Sequence, residues 1–174
     1  RPQWISLRDR PEELCPTRER AGWLTLRARG ESLDSDDVIF AGRRQQHLTC
    51  RATTLADVTE GEGGLAVRLD ERHYYAIEVA GAEVRVVARI GPLRTVVASR
   101  PAPAGPIELT VEITEQGQPL GARTGPDTVT CCVAEPDGAS TILATLDGRY
   151  LSTEVAGGFT GRVIGMYASS GTVR

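Results

Sequence analysis

The sequence predicts an all-β protein, two antiparallel sheets packed face to face as a jelly-roll sandwich. Three observations predict it. Ile107-Glu108-Leu109-Thr110-Val111-Glu112-Ile113 alternates apolar and polar residues without a break, which reads as a strand with one buried and one wet face. Between residues 65 and 99 short apolar runs are separated by the turns Asp70-Glu71-Arg72, Ala80-Gly81-Ala82 and Gly91-Pro92. That punctuation is close to the roughly 8–12-residue spacing of sandwiches. No stretch sustains the period of an amphipathic helix. A closed barrel is the alternative way to use so many short strands.

Taken in order, residues 1–20 are irregular, punctuated by Pro2, Pro11 and Pro16, with Trp4, Ile5 and Leu7 as anchors. Strands are predicted over residues 22–28, 38–44 and 47–56. In the last, Leu48, Cys50 and Ala52 share one face, and Thr49, Arg51 and Thr53 the other. The middle gives strands at 65–69, 74–79, 84–90, 93–99 and 107–113. The Pro/Gly/Ala stretch 101–106 is a connection within one domain, because strand-like text resumes at once. Residues 116–127 are turn-rich, and strands at 128–134, 141–146 and 163–168 complete the set.

A chain of 174 residues forms one domain, 1–174, long enough to bury a sizeable core. Forty per cent hydrophobic and 25% charged residues are ordinary for a soluble globular protein. No apolar run approaches the ~20 residues that span a bilayer, so no membrane partner is expected. The N-terminal residues lack the layout of a signal peptide. With net charge −3 the chain has no electrostatic footprint for nucleic acid. Cys15, Cys50, Cys131 and Cys132 show no C-x-x-C spacing, and the adjacent pair should point to opposite faces. Free thiols in a reducing bacterial cytoplasm are therefore expected. All 20 basic residues are Arg, which reflects coding bias rather than function. The numbering begins at Arg1 and the only Met is Met166, so the chain is expected to be a piece of a larger one.

The stretch that carries function is residues 151–168. Gly157-Gly158-Phe159-Thr160-Gly161 places one large side chain among glycines, on an adaptable stalk before a final apolar strand. Phe159 has two readings, a core anchor tucked under its own loop or an outward-facing contact. Arg43 and Arg44 are adjacent, so one should face inward or toward an interface. A structural ion pair with a carboxylate is the plain expectation for it. Gln45, Gln46 and His47 offer donors and acceptors without metal geometry, and His47 and His73 read as hydrogen-bonded surface or boundary residues. Asp34, Asp36 and Asp37 form the densest acidic loop. It is the only candidate for a calcium ion, although a solvated turn is the ordinary fate of such a run. No other cofactor is expected. Trp4, Trp23, Tyr74, Tyr75, Tyr150 and Tyr167 are candidates for sugar stacking, but most must serve the core, and at most one of Tyr74 and Tyr75 should be available.

Several segments together resemble a known family. They are Phe40-Ala41-Gly42-Arg43-Arg44-Gln45-Gln46-His47, Leu69-Asp70-Glu71-Arg72-His73-Tyr74-Tyr75 and Asp147-Gly148-Arg149-Tyr150-Leu151-Ser152-Thr153-Glu154. The glycine loop at 157–161, Ile164-Gly165-Met166-Tyr167-Ala168, Trp4-Ile5-Ser6-Leu7-Arg8 and Gly22-Trp23-Leu24 extend the likeness nearly end to end. This pattern resembles the C-terminal concanavalin-A-like domain of family 43 glycoside hydrolases, the β-xylosidases and α-arabinofuranosidases. The resemblance implies a sandwich packed on a five-bladed catalytic β-propeller of the same polypeptide. It also implies a loop that brings an aromatic side chain to the sugar pocket, here Phe159, shaped by Gly157, Gly158, Thr160 and Gly161. Arg43, Arg44 and Gln46 would be interface residues, and the substrate an oligosaccharide of xylose or arabinose. Thr130-Cys131-Cys132-Val133 departs from the pattern, with small residues where relatives commonly carry aromatics.

Glycoside hydrolysis needs two carboxyl groups held across the sugar. The acids of this chain stand beside Arg, in turns or on wet strand faces, as Glu108 and Glu112 do, so no catalytic residue is expected here. An independent carbohydrate-binding module is the rival reading. An oligomerisation domain is a third, favoured if the glycine loop met its own copy.

Overall fold

The computed structural model describes residues 4–7, 19–117, 125–135 and 138–174. Pro2, Pro11, Pro16, Cys15 and residues 118–124 of the turn-rich segment lie outside the described residues. Two antiparallel sheets pack face to face. The larger has the strand order β1 (Ile5–Ser6), β3 (Ile39–Arg44), β12 (Val163–Val173), β5 (Glu60–Asp70), β6 (His73–Ala80), β7 (Glu83–Ile90) and β8 (Leu93–Pro101). The short strand β2 (Leu26–Arg27) adds to the far end of β12. The smaller sheet runs β11 (Ser140–Asp147), β10 (Asp127–Ala134), β9 (Ile107–Glu115) and β4 (Cys50–Ala56).

The space between the sheets is filled from both sides by the period-two pattern. Leu65, Val67, Tyr75, Ile77, Val84 and Val86 meet Leu109, Val111, Ile113, Val129 and Cys131, all buried. Cys131 and Cys132 take opposite faces as expected, and both thiols are free. Burial drives the Cys131 thiol up to about 12, so it stays protonated and inert. Along β9 the predicted wet face is only partly wet. Thr110 is buried, its hydroxyl 2.9 Å from that of Thr53, and Glu112 pairs with Arg51 at 3.2 Å.

The larger sheet is apolar on its outer face too, which the sequence reading did not anticipate. Phe40, Ala66, Tyr74, Ala76, Val87 and Tyr167 form a second core there, roofed by Leu33 and Val38 from the segment between β2 and β3. Tyr74 and Tyr75 therefore point to opposite faces, yet both are sealed; neither is available for stacking. Burial pushes the Tyr74 hydroxyl up to about 12.

Four strands have a boundary more than two residues from expectation. Only Leu26–Arg27 of the predicted 22–28 strand pairs. Strand β4 begins at Cys50, and Leu48, expected on the same strand face as Cys50, stands 66% exposed before the strand starts. Strand β5 starts at Glu60 and runs through Gly61, Gly63 and Gly64, which lie ahead of the predicted 65–69 strand. A Cβ on Gly61 would lie 2.8 Å from the Thr172 nitrogen, and one on Gly64 only 2.7 Å from the Cα of Glu78, so close strand approach selects them. Strand β12 likewise continues past Ala168 to Val173 through a register shift at Ala168/Ser170. On the edge strand β8 a second irregularity leaves Val97 without a partner between the pairs Val86–Ala98 and Val87–Val96.

Where the sheets' edges meet, Arg100 of β8 forms a bidentate ion pair with Glu135 just after β10, and Thr141 of β11 donates to the same carboxylate at 2.6 Å. The Arg100 contact first, then the Thr141 hydroxyl, holds the Glu135 carboxyl down at about 2, below its ordinary 4.5. A depressed folded-state value means that the contribution is complete above pH 4.5 and is lost as pH falls toward 2. The melting temperature should accordingly fall through that window, and Glu135→Gln should flatten this part of the profile when thermal unfolding is followed across pH.

Candidate functional site

One end of the sandwich is built around the guanidinium of Arg162, the residue just before β12. Its Nη1 and Nη2 pair in bidentate fashion with the Asp127 carboxylate at the start of β10. Its Nη2 also donates to the Gly148 carbonyl at 2.7 Å, and its Nε to the Leu151 carbonyl at 2.7 Å. Both side chains are only 10% exposed, so water screens the pair little. The Gly148 and Leu151 carbonyls are the two ends of a 3-10 turn (Gly148–Leu151) that follows β11.

Asp147 caps that turn. Its carboxylate accepts from the Arg149 amide at 2.9 Å and the Gly125 amide at 3.3 Å, and its carbonyl accepts from the buried Tyr75 hydroxyl at 2.8 Å. Glycine is required at 125, where a Cβ would lie 2.9 Å from the Arg149 nitrogen, and at 148, where it would lie 2.7 Å from the Asp127 carboxyl carbon. Burial and the neighbouring Asp147 push the Tyr75 hydroxyl up, so it remains a donor at every working pH.

From this base the loop rises. Ser152 is followed by a single helical turn, α1 (Thr153–Ala156), closed by the Gly157 amide donating to the Thr153 carbonyl at 2.9 Å. Gly157 and Gly158 both adopt φ of 77°, a conformation that an L side chain resists. They turn the chain so that Phe159 is wholly exposed. Thr160 and Gly161 then separate two clefts. One, of about 330 Å³, lies toward Gln45, Gln46, His47 and Leu48, and the other, of about 450 Å³, toward Leu7, Phe40 and Arg44. Leu48 and Val155 stand exposed at the same end, giving it an apolar character beside Phe159.

A profile of the β-xylosidase C-terminal concanavalin A-like domain matches residues 1–174. The chain belongs to this family. A non-reducing end α-L-arabinofuranosidase of Bacteroides ovatus is 29% identical over 174 residues, a match covering 95% of this chain and 31% of that protein. A family 43 protein of Bacillus licheniformis superposes with a TM-score of 0.83 at 18% identity, covering 98% of this chain and 35% of its own. A xylan β-1,4-xylosidase of Bacillus halodurans gives 0.79 at 21% identity, with the same two shares. The chain thus spans about a third of the length of these relatives. It is the accessory C-terminal domain of family 43 glycosidases.

The other residues singled out from sequence fall into place around this end or away from it. Arg43 and Arg44 are both exposed, and neither makes an ion pair among the described residues. They lie where β3 runs out beyond the cover of the smaller sheet, and the Arg43 guanidinium sits over the Trp4 ring at 5.9 Å instead. Gln46 is exposed at the same rim. His73 Nδ1 lies 2.9 Å from Asp70, the boundary role foreseen for it. The acidic loop is drawn to cations: Asp34 faces Arg89 and Arg94 at 3.6 and 3.7 Å and accepts from the Tyr74 hydroxyl, while Asp36 faces Arg68 at 3.7 Å. Among the described residues no three His, Cys, Asp or Glu side chains converge on one point.

Sequence reasoning missed Asp127, Arg162 and the turn they brace. The signal was faint: Gly125 before Asp127 and Asp147-Gly148 mark tight turns, but nothing local links positions 35 residues apart. Asp127→Ala leaves the Arg162 charge buried without its partner, a loss of about 3–5 kcal/mol. Urea unfolding followed by far-ultraviolet circular dichroism measures it.

Proposed function

We propose that this domain serves a glycosidase acting on xylose- or arabinose-containing oligosaccharides. It packs on a catalytic β-propeller of the same polypeptide and holds Phe159 across the mouth of the sugar pocket. The observation that carries the reading is Phe159 itself: a wholly exposed aromatic, lifted by two left-handed glycines above an apolar end of the sandwich. A Phe side chain left in water forgoes about 1.5–3 kcal/mol of burial, so its exposure suits a contact made with another surface. The exposed Leu48 and Val155, with Arg43, Arg44 and Gln46 at the rim, suit the margin of that surface. The activities of the relatives, arabinofuranosidase and xylosidase, supply the substrate class. Bond cleavage belongs to the propeller's carboxyl groups; the sandwich contributes exclusion of water and a fixed sugar position. In the intact protein Phe159→Ala should lower kcat/KM on xylo- or arabino-oligosaccharides roughly ten- to a hundredfold. Unchanged turnover would remove Phe159 from the pocket.

A second reading has one observation in its favour. A trough of about 490 Å³ runs between the free edge of β4 and β3–β12, lined by Trp4, Arg43, Gln45, Arg51 and Met166. Flat aromatic, guanidinium and amide groups are what a carbohydrate-binding module presents to a sugar. Calorimetry of the 174-residue chain with xylo-oligosaccharides separates the two readings, since the supporting role predicts no heat of binding.

A further inference from the structure

We infer that Arg162 is a positioning residue for Phe159, setting through its four hydrogen bonds where the aromatic tip stands; this rests on the pocket role proposed above. The argument begins with the loop's own lack of internal restraint. Beyond the Gly157 amide, no backbone hydrogen bond within residues 158–161 holds the tip among the described residues. Gly157 and Gly158 free the backbone, and Phe159 has no packing partner. The tip's position must therefore be inherited from the stems.

Both stems end on Arg162. The residue itself is the returning stem, three positions after Phe159, and its Nε grips the Leu151 carbonyl at 2.7 Å, the last position before the loop departs. Nη2 takes the Gly148 carbonyl at 2.7 Å, and the fork closes on Asp127, which belongs to the other sheet. The Arg162 carbonyl in turn accepts from the Gln45 amide at 2.9 Å, so the rim at 45–48 shares the same anchor. A planar guanidinium has its donors in fixed directions, so one side chain sets the spacing of three segments at once. Lysine can keep the charge opposite Asp127 but cannot reproduce that fork.

The experiment is a double-mutant cycle in the full-length enzyme, with kcat/KM measured on a short oligosaccharide well below each variant's melting temperature. Arg162→Lys should lower kcat/KM about five- to tenfold in the wild-type background. In the Phe159→Ala background the same substitution should change it less than twofold, because there is no tip left to misplace. A purely structural role predicts equal effects in both backgrounds. If Arg162→Lys does not fold, Asp127→Asn runs the same cycle. Equal or absent effects of the Arg162 substitution, beside a clear effect of Phe159→Ala, would overturn the inference alone. No effect of Phe159→Ala would overturn the pocket reading and this inference with it.

Discussion

An eight-stranded sheet that is apolar on both faces has to be covered twice, and the four-stranded partner covers only one face. The rest of the architecture answers this constraint. The segment between β2 and β3 folds back over the outer face, seating Leu33 and Val38 against Phe40, Tyr74 and Tyr167. One buried polar set is satisfied in place: the Tyr167 hydroxyl donates to Glu78, which also receives Arg85 at 2.7 Å. The exposed carboxylate of Asp34 faces Arg89 and Arg94 and accepts from the Tyr74 hydroxyl. Unpaired, each of the buried groups would oppose folding by more than its hydrogen bond contributes.

With both faces of the larger sheet used for stability, contacts to other molecules are left to the ends and sides of the sandwich and the open outer face of the smaller sheet. The end that carries the glycine loop is where buried charge and exposed apolar side chains meet: Asp127 and Arg162 lie beneath, Leu48, Val155 and Phe159 above. A stiff polar base under a bare aromatic tip is the arrangement expected when function sits on a loop held by a rigid scaffold.

Much of this fold is legible in the sequence because turns cut the apolar runs between residues 65 and 99 into short strands and residues 107–113 alternate without a break. The glycine-rich start of β5 was not legible, since Gly61, Gly63 and Gly64 are selected by the closeness of neighbouring strands rather than by turn geometry. The glycine loop is legible as a stalk because Gly157, Gly158 and Gly161 flank a single large side chain. Its base was not, because Asp127, Gly148 and Arg162 meet only once the sheets are assembled. The acidic loop shows the same limit: from residues 34–37 alone it looks like an oxygen cluster, and only Arg68, Arg89 and Arg94, arriving from three other strands, turn it into a set of ion pairs.

The unpartnered Val97 on β8 has a consequence for how copies of the domain meet. Strand β8 is a free sheet edge with Leu93, Val96 and Val97 open to water, the kind of border along which sheets stick to one another. The bulge interrupts the row of outward amides, and Pro101 ends it with a residue that has no amide hydrogen at all. A border spoiled in this way is a poor template for ribbon growth between copies of the domain.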